Sequence, residues 1–233
     1  MGSTRLPGKH LKKILGKPMI AFLIERLRHV NSANTIVMAT TTNPLDDKLE
    51  EFCKIEKLSC FRGSEEDVLD RFYQCAKEYQ ADVIVRVTAD CPLIDPAVVD
   101  EAVYHFLAEY PRYDFVSNVE KRTYPRGMDV EVFSFNSLQK AAKEANLPEE
   151  REHVTPYFYR HPELFHLGSI AGEIDNSRFR WTVDTEDDFR LISLILQNIY
   201  PSNPFFTLND LLELFQKNPE WVNINAHVKQ KEI

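Results

Sequence analysis

The sequence predicts an α/β fold of Rossmann-like type, three layers deep, with helices on both faces of a mixed and mostly parallel sheet. Three observations point there. Helical stretches with apolar residues three and four apart alternate with short β-branched runs, the rhythm of strands joined by crossover helices. The run at residues 82–88 follows an amphipathic stretch and stops just before Asp90, and the carboxyl ends of such strands are where open α/β sheets bind ligands. With 233 residues, 43% of them hydrophobic, the chain is large enough for one sizeable core, so a single domain over residues 1–233 is expected.

The elements follow in order. Residues 1–9 combine Gly2 and Gly8 with Ser3, Arg5 and Lys9 and read as a loop. Pro18 suits a first helical position, and Ile20, Leu23, Leu27 and Val30 recur behind it near helical spacing. Residues 35–39 read as a buried strand and 47–54 as a helix; a helix over 68–79 leads into the strand at 82–88. Pro96 opens another helix with Val99, Val103, Phe106 and Leu107 toward the core, and residues 113–117 resume the strand pattern. Residues 128–133 alternate strictly, with Met128, Val130 and Val132 on one face and Asp129, Glu131 and Phe133 on the other, which predicts a strand with one polar face. A helix over 136–145 precedes the amphipathic stretch 151–160, where Pro156 predicts a boundary near Thr155. A strand over 179–183 and a helix over 186–199 follow, and Thr207 with Asp210 three residues on caps a terminal helix.

Composition narrows the function. A net charge of −8 argues against a general nucleic-acid binder, which needs a basic surface for phosphate contacts. Arg5, Lys9, Lys12, Lys13 and Lys17 are nevertheless crowded near the start, an asymmetry that suits a small polyanion. Cys53, Cys60, Cys75 and Cys91 form no C-x-x-C pair and sit among apolar neighbours, so reduced buried thiols and a cytoplasmic location are expected. No stretch approaches the roughly 20 apolar residues of a membrane span, so neither membrane nor nucleic acid is expected as a partner.

The opening loop has the chemistry of a phosphate cradle. Glycines let backbone N–H groups turn toward an anion, Arg5 offers a planar fork and Lys9 a compact charge. Asp90, in Thr88-Ala89-Asp90-Cys91-Pro92, is either a loop-forming residue or a carboxylate for Mg²⁺ beside a triphosphate. Asp184 has the same two readings, because it could equally cap the helix that starts among Glu186, Asp187 and Asp188. Ser64 and Asp67 form a helix cap, and Thr41 and Thr42 are hydroxyl-bearing loop residues at the same end of the sheet. For a polyhydroxylated substrate, Asp129 and Glu131 with Tyr124, Arg126, Arg151 and His153 nearby in sequence supply donors and acceptors; Arg151 and His153 serve equally well at a helix start or a subunit contact.

Six ordered blocks carry a family resemblance. They are Arg5-Leu6-Pro7-Gly8-Lys9 with Leu15-Gly16-Lys17-Pro18; Thr40-Thr41-Thr42-Asn43-Pro44; the stretch from Phe61-Arg62-Gly63-Ser64 to Asp70-Arg71; Asp90-Cys91-Pro92-Leu93-Ile94-Asp95-Pro96; Arg151-Glu152-His153-Val154-Thr155-Pro156; and Arg180-Trp181-Thr182-Val183-Asp184. Together they resemble the sugar-acid cytidylyltransferases, a family that includes 3-deoxy-manno-octulosonate and acylneuraminate cytidylyltransferases and proteins of spore coat polysaccharide biosynthesis. The resemblance implies a nucleotidyltransferase fold of the GT-A type. It also implies a buried strand leading into the opening loop, so a sheet with its first strand missing is expected, open beside residues 83–87.

What the resemblance implies chemically is attack of a sugar hydroxyl on the α-phosphate of CTP, yielding a CMP-sugar and pyrophosphate for surface polysaccharide. Arg5, Lys9 and Asp90 would be catalytic, with Gly2, Ser3, Arg5 and Lys9 on the phosphates and Arg86 in support. Thr41, Thr42, Ser64 and Asp67 would meet the nucleotide. Asp90 and Asp184 would hold Mg²⁺, and Tyr124, Asp129, Glu131, Arg151 and His153 would meet the sugar. A homodimer is implied as well. Two other readings stand beside it: a non-catalytic nucleotide-binding or oligomerising homologue, and a GT-A glycosyltransferase, against which Asp90-Cys91-Pro92 replaces the usual Asp-x-Asp.

Overall fold

The computed structural model describes residue 2 and residues 5–230. Gly8 takes a left-handed conformation (φ 67°) and starts a turn of 3-10 helix at Lys9–Leu11. A two-stranded hairpin follows, β1 (Lys13–Ile14) and β2 (Lys17–Pro18). Its two-residue turn is Leu15 (φ 50°) and Gly16 (φ 84°), both at the positive φ that matches the twist of the flanking strands. Pro18 therefore belongs to β2, and α1 (Met19–Leu27) begins one residue later than the sequence suggests.

Strand β3 (Val37–Thr41), α2 (Asp47–Glu56) and β4 (Ser59–Gly63) form a parallel unit. Strand β4 is not among the elements expected from the pattern, because Ser59-Cys60-Phe61-Arg62-Gly63 contains no β-branched residue. Then come α3 (Val68–Glu78), β5 (Val83–Arg86), α4 (Pro96–Ala108), β6 (Phe115–Ser117) and β7 (Glu131–Ser134). Next are α5 (Phe135–Glu144), α6 (Pro148–His153), α7 (Pro156–Arg160), β8 (Leu167–Ser169), α8 (Glu186–Ile199) and α9 (Leu208–Lys217). Strand β7 lies between β5 and β6, antiparallel to both, and β6 runs parallel to β8.

Among the described residues β3 pairs only with β4 and β5 only with β7, so the ladder is interrupted beside β5, where a missing strand is expected. The strands flanking the interruption remain partly accessible, while β6 and β7 are buried at every position.

The β6–β7 register explains the layering. Val116 and Val132 are partners and point into a core with Met128, Val130, Trp181 and Val183, covered by α1, α4, α8 and α9. Phe115 and Phe133, also partners, point the other way onto Leu69, Leu138 and Phe158 from α3, α5 and α7. The face expected to be polar is thus apolar at Phe133 and closed by helices; only Asp129 and Glu131 leave it polar.

Segment 179–183 makes one bridge, Arg126↔Arg180, in place of the expected strand. Its N–H groups are divided between two neighbours, Trp181 N donating to Arg126 O (2.7 Å) and Val183 N to Asp90 O (2.9 Å), so no ladder propagates. Gly127 permits the first contact: at φ 102°, a Cβ there would lie 2.6 Å from the Trp181 carbonyl. Among the described residues no helix is long and apolar enough to cross a membrane.

Candidate active site

Two loops at the carboxyl ends of the sheet build the centre of the site. The hydrogen bond from Val183 N to Asp90 O lays the loop after β5 against the segment entering α8, which brings together carboxylates far apart in sequence. Thr88 Oγ1 donates to Asp90 Oδ1 at 2.6 Å and fixes that side chain. The cap of α8 is made by Thr185 and Asp188, each bonding the other's backbone N–H, so the capping role that competed for Asp184 is already filled. Asp184 is left to face the site.

The two carboxylates converge on a single ammonium. Lys9 Nζ donates to Asp90 Oδ2 (3.0 Å), Asp184 Oδ1 (3.1 Å) and the Val183 carbonyl (2.6 Å), using all three of its protons while only 6% exposed. Burial alone would lower the Lys9 pKa, but the charges of Asp90 and Asp184 outweigh it and hold the amine protonated. Burial likewise opposes ionisation of Asp90, yet Lys9 and Thr88 keep its carboxyl below the ordinary carboxylate value. Asp184 Oδ2 takes Arg5 Nη2 at 3.0 Å and Arg180 Nη2 at 2.8 Å. Behind it, Asp188 receives Arg180 Nε at 2.9 Å and Asn225 Nδ2 at 2.8 Å.

This donor set fits a divalent cation. Two carboxylates already meet at one cationic point and only oxygen atoms face it; Mg²⁺ is held by one or two carboxylates and completes its shell with waters and substrate phosphates. Among the described residues no group of three or more His, Cys, Asp or Glu is gathered for a metal.

A basin of about 610 Å³ opens from this centre. Arg5, Thr88, Asp90, Cys91 and Asp184 line it together with Arg122, Arg126, Asp129, His153 and Tyr159. Arg122 holds Asp129 with both Nη atoms, at 2.6 and 3.1 Å. Arg126 differs: among the described residues its guanidinium has no hydrogen-bond partner. Arg126 is among the residues expected near the sugar, whereas Arg122 is not, since nothing in its local pattern separates a wall residue from a surface cation.

Several residues that the sequence suggests for the site are engaged elsewhere. Glu131 lies in the wall but is buried and spent: it is ion-paired with Arg86, its cross-strand partner, and accepts Thr155 Oγ1 at 2.7 Å and Tyr159 OH at 3.2 Å. Arg86 is therefore a scaffold for that wall. Arg151 donates to Asp67 (Nε to both oxygens at 3.0 Å) and to the Ala142 carbonyl, tying α6 to the start of α3 outside the basin. Asp67 also caps α3, with Ser64 Oγ accepting Asp67 N. Tyr124 OH donates to Glu101 at 2.8 Å on the far side of the loop. Thr41 is bound through N and Oγ1 to Asp46, and Thr42 N donates to the Gly63 carbonyl; neither lines the basin.

The basic cluster near the start also disperses. Lys12 pairs with Glu186 at 2.6 Å, and Lys17 with Glu25 at 2.6 Å while resting on the rings of Phe22 and Tyr200. Only Arg5 and Lys9 point into the centre. Gly2 is exposed and does not line the basin, and Ser3 lies outside the described residues.

The cytidylyltransferase family model matches residues 1–230. The chain belongs to the cytidylyltransferase family. It is 31% identical over 227 residues to the spore coat polysaccharide biosynthesis protein SpsF of Bacillus subtilis, covering 94% of this chain and 92% of that one. It is 30% identical over 180 residues to a 3-deoxy-manno-octulosonate cytidylyltransferase of Chlamydia trachomatis, covering 73% and 66%. A solved cytidylyltransferase from Leptospira borgpetersenii superposes with a TM-score of 0.91 at 37% identity, over all of this chain and 95% of the other. The protein is thus a CTP-using enzyme of the nucleotidyltransferase type, and its fold is the nucleotidyltransferase fold.

Proposed function

We propose that this cytidylyltransferase joins CMP to a sugar acid, with release of pyrophosphate, in the synthesis of a surface polysaccharide. The convergence of Asp90 and Asp184 on one cationic point, in a basin also lined by the unpaired Arg126, supports this reading most. A sugar hydroxyl forms the new bond to the α-phosphorus, and the bond from that phosphorus to the β-bridging oxygen breaks. Asp90 and Asp184 would hold Mg²⁺, which supplies charge neutralisation at the transferring phosphate.

The chain's own side chains position and neutralise. Arg5, about one-third exposed at the basin mouth, reaches the β- and γ-phosphates as they leave. At the acceptor end, a guanidinium without a partner is matched by a carboxylate, which it binds through two parallel hydrogen bonds. Arg126 takes that part, which Arg151 cannot because Asp67 occupies it. His153 and the Arg122-held Asp129 offer contacts for hydroxyls. Holding both substrates in one basin replaces a bimolecular encounter with an oriented reaction, and no covalent enzyme intermediate is needed.

The names of the relatives support the acceptor class, one acting on 3-deoxy-manno-octulosonate and the other in spore coat polysaccharide biosynthesis. The test is pyrophosphate release with Mg²⁺, CTP or UTP, and a panel of sugar acids and their neutral counterparts. Release with CTP and at least one acid, and not with neutral sugars, is expected; turnover of neutral sugars alone would overturn the acceptor assignment.

A further inference from the structure

We propose that Lys9 is an internal counter-ion occupying the divalent-metal position until CTP arrives, so that metal enters productively only together with the triphosphate. The inference rests on the proposed function for the identity of the nucleotide and on the geometry of Lys9 for everything else. Its ammonium bridges Asp90 Oδ2 and Asp184 Oδ1, the oxygens that a metal ion shared by the two would need.

Charge balance gives the reason. Lys9, Arg5 and Arg180 face Asp90, Asp184 and Asp188, three cations against three carboxylates in a largely buried cluster. A bare divalent ion entering this cluster meets an ammonium at its own position and leaves two uncompensated positive charges at low dielectric. A triphosphate reverses that balance. Its oxygens give the displaced ammonium and Arg5 new acceptors, and the metal then neutralises the two carboxylates that Lys9 vacates. The unbranched stem of Lys9 needs only rotamer changes to move its amine, and Gly8 next to it is already in a left-handed turn that leaves the loop backbone free of a Cβ. Lys9 thereby sets the order of binding as well as contacting phosphate.

The experiment measures Mn²⁺ binding by the loss of the free-ion electron paramagnetic resonance signal, for the full chain with and without CTP, the Mn²⁺ that CTP takes up without protein being subtracted. Wild type is compared with Lys9→Met and Lys9→Gln, two neutral variants of which the second retains a donor for the Val183 carbonyl, and with Lys9→Arg. Wild type and Lys9→Arg are expected to bind Mn²⁺ alone weakly. Either neutral variant that folds is expected to bind Mn²⁺ alone about tenfold or more tightly, with a smaller further gain from CTP. Equal affinity of wild type and neutral variants for Mn²⁺ alone overturns the proposal, as does a wild type that binds Mn²⁺ as tightly without CTP as with it. If wild type takes up Mn²⁺ with CTP while the neutral variants behave like it toward Mn²⁺ alone, only this inference falls. If no protein binds CTP in the presence of Mn²⁺, the proposed function falls and takes this inference with it.

Discussion

Asp188→Asn is the substitution whose cost follows most directly from the structure. Asp188 is fully buried and receives Arg180 Nε (2.9 Å) and Nη2 (3.2 Å), Asn225 Nδ2 (2.8 Å) and the backbone N–H groups of Asp184 (3.0 Å) and Thr185 (2.9 Å). Asparagine keeps the volume, but it removes the charge and turns one acceptor into a donor aimed at donors. Removing one partner of a buried ion pair costs about 3–5 kcal/mol. Because Arg180 keeps Asp184, the lower end, about 3 kcal/mol, applies here. At roughly 2–4 °C per kcal/mol for a chain of this size, the melting temperature should fall by about 6–12 °C in differential scanning calorimetry at neutral pH.

The pH dependence of this pair has a definite sign. Burial opposes ionisation of Asp188, but the bonds from Arg180 and Asn225 prevail and hold its carboxyl below the ordinary 3.8. A depressed carboxyl stabilises the fold above its unfolded pKa, and that stability is lost as pH falls through the folded value. Wild type should therefore lose this increment below about pH 4, and Asp188→Asn should not. A variant melting within about 2 °C of wild type, with the same acid profile, would refute the reasoning.

Other consequences concern the basin. Asp90→Asn should cut kcat by on the order of 10²–10³, read by pyrophosphate release from the folded variant; near-normal turnover would remove Asp90 from the centre. Arg126→Ala should raise KM for the acid acceptor by about 10–100-fold and leave KM for CTP almost unchanged, since the lost contact is a charged hydrogen-bond pair with one substrate only. His10, whose imidazole is pushed down to about 4 mainly by burial and then by Lys9, stays neutral in the fold while the unfolded chain takes up a proton near 6.5. Stability should consequently fall as pH drops from 6.5 toward 4, and His10→Gln should flatten that decline in urea midpoints compared at pH 7 and pH 5; an unchanged decline would assign it to other groups.

Much of the fold was legible where a local rule decides it. Helix α8 begins where the pattern predicts because Thr185 and Asp188 cap its start, and Pro156 divides α6 from α7 as a ring without an N–H must. Strands were harder: β5 stops two residues short of the end of the β-branched run, and β4 has no β-branched residue. The apolar environment of Phe133 depends on helices α3, α5 and α7 arriving from elsewhere in the chain, which alternation alone does not encode.

The site divides along the same line. Asp90 follows β5 and Asp184 follows the stretch Arg180-Trp181-Thr182-Val183, positions that a one-dimensional pattern marks, and Arg5 and Lys9 occupy a recognisable loop. How polar groups pair in space leaves no such mark. Glu131 and Arg151 carry suitable chemistry, but Arg86 and Asp67 consume it, and Arg126 matters because nothing does. Lys9 is the sharpest instance, since residue type and position suggest phosphate contact while its neighbours, distant in sequence, make it a bridge between two carboxylates.

The central claim is transfer of CMP from CTP to a sugar acid at Asp90 and Asp184. Phosphorus NMR of a reaction holding CTP, Mg²⁺ and an accepted sugar acid follows each phosphate directly. The account predicts that the α-phosphorus resonance moves to a CMP-sugar diester while the β- and γ-phosphates appear together as pyrophosphate in equal amount, and that neither occurs with Asp90→Asn. Release of inorganic phosphate with CDP, or transfer that persists in Asp90→Asn, would contradict it.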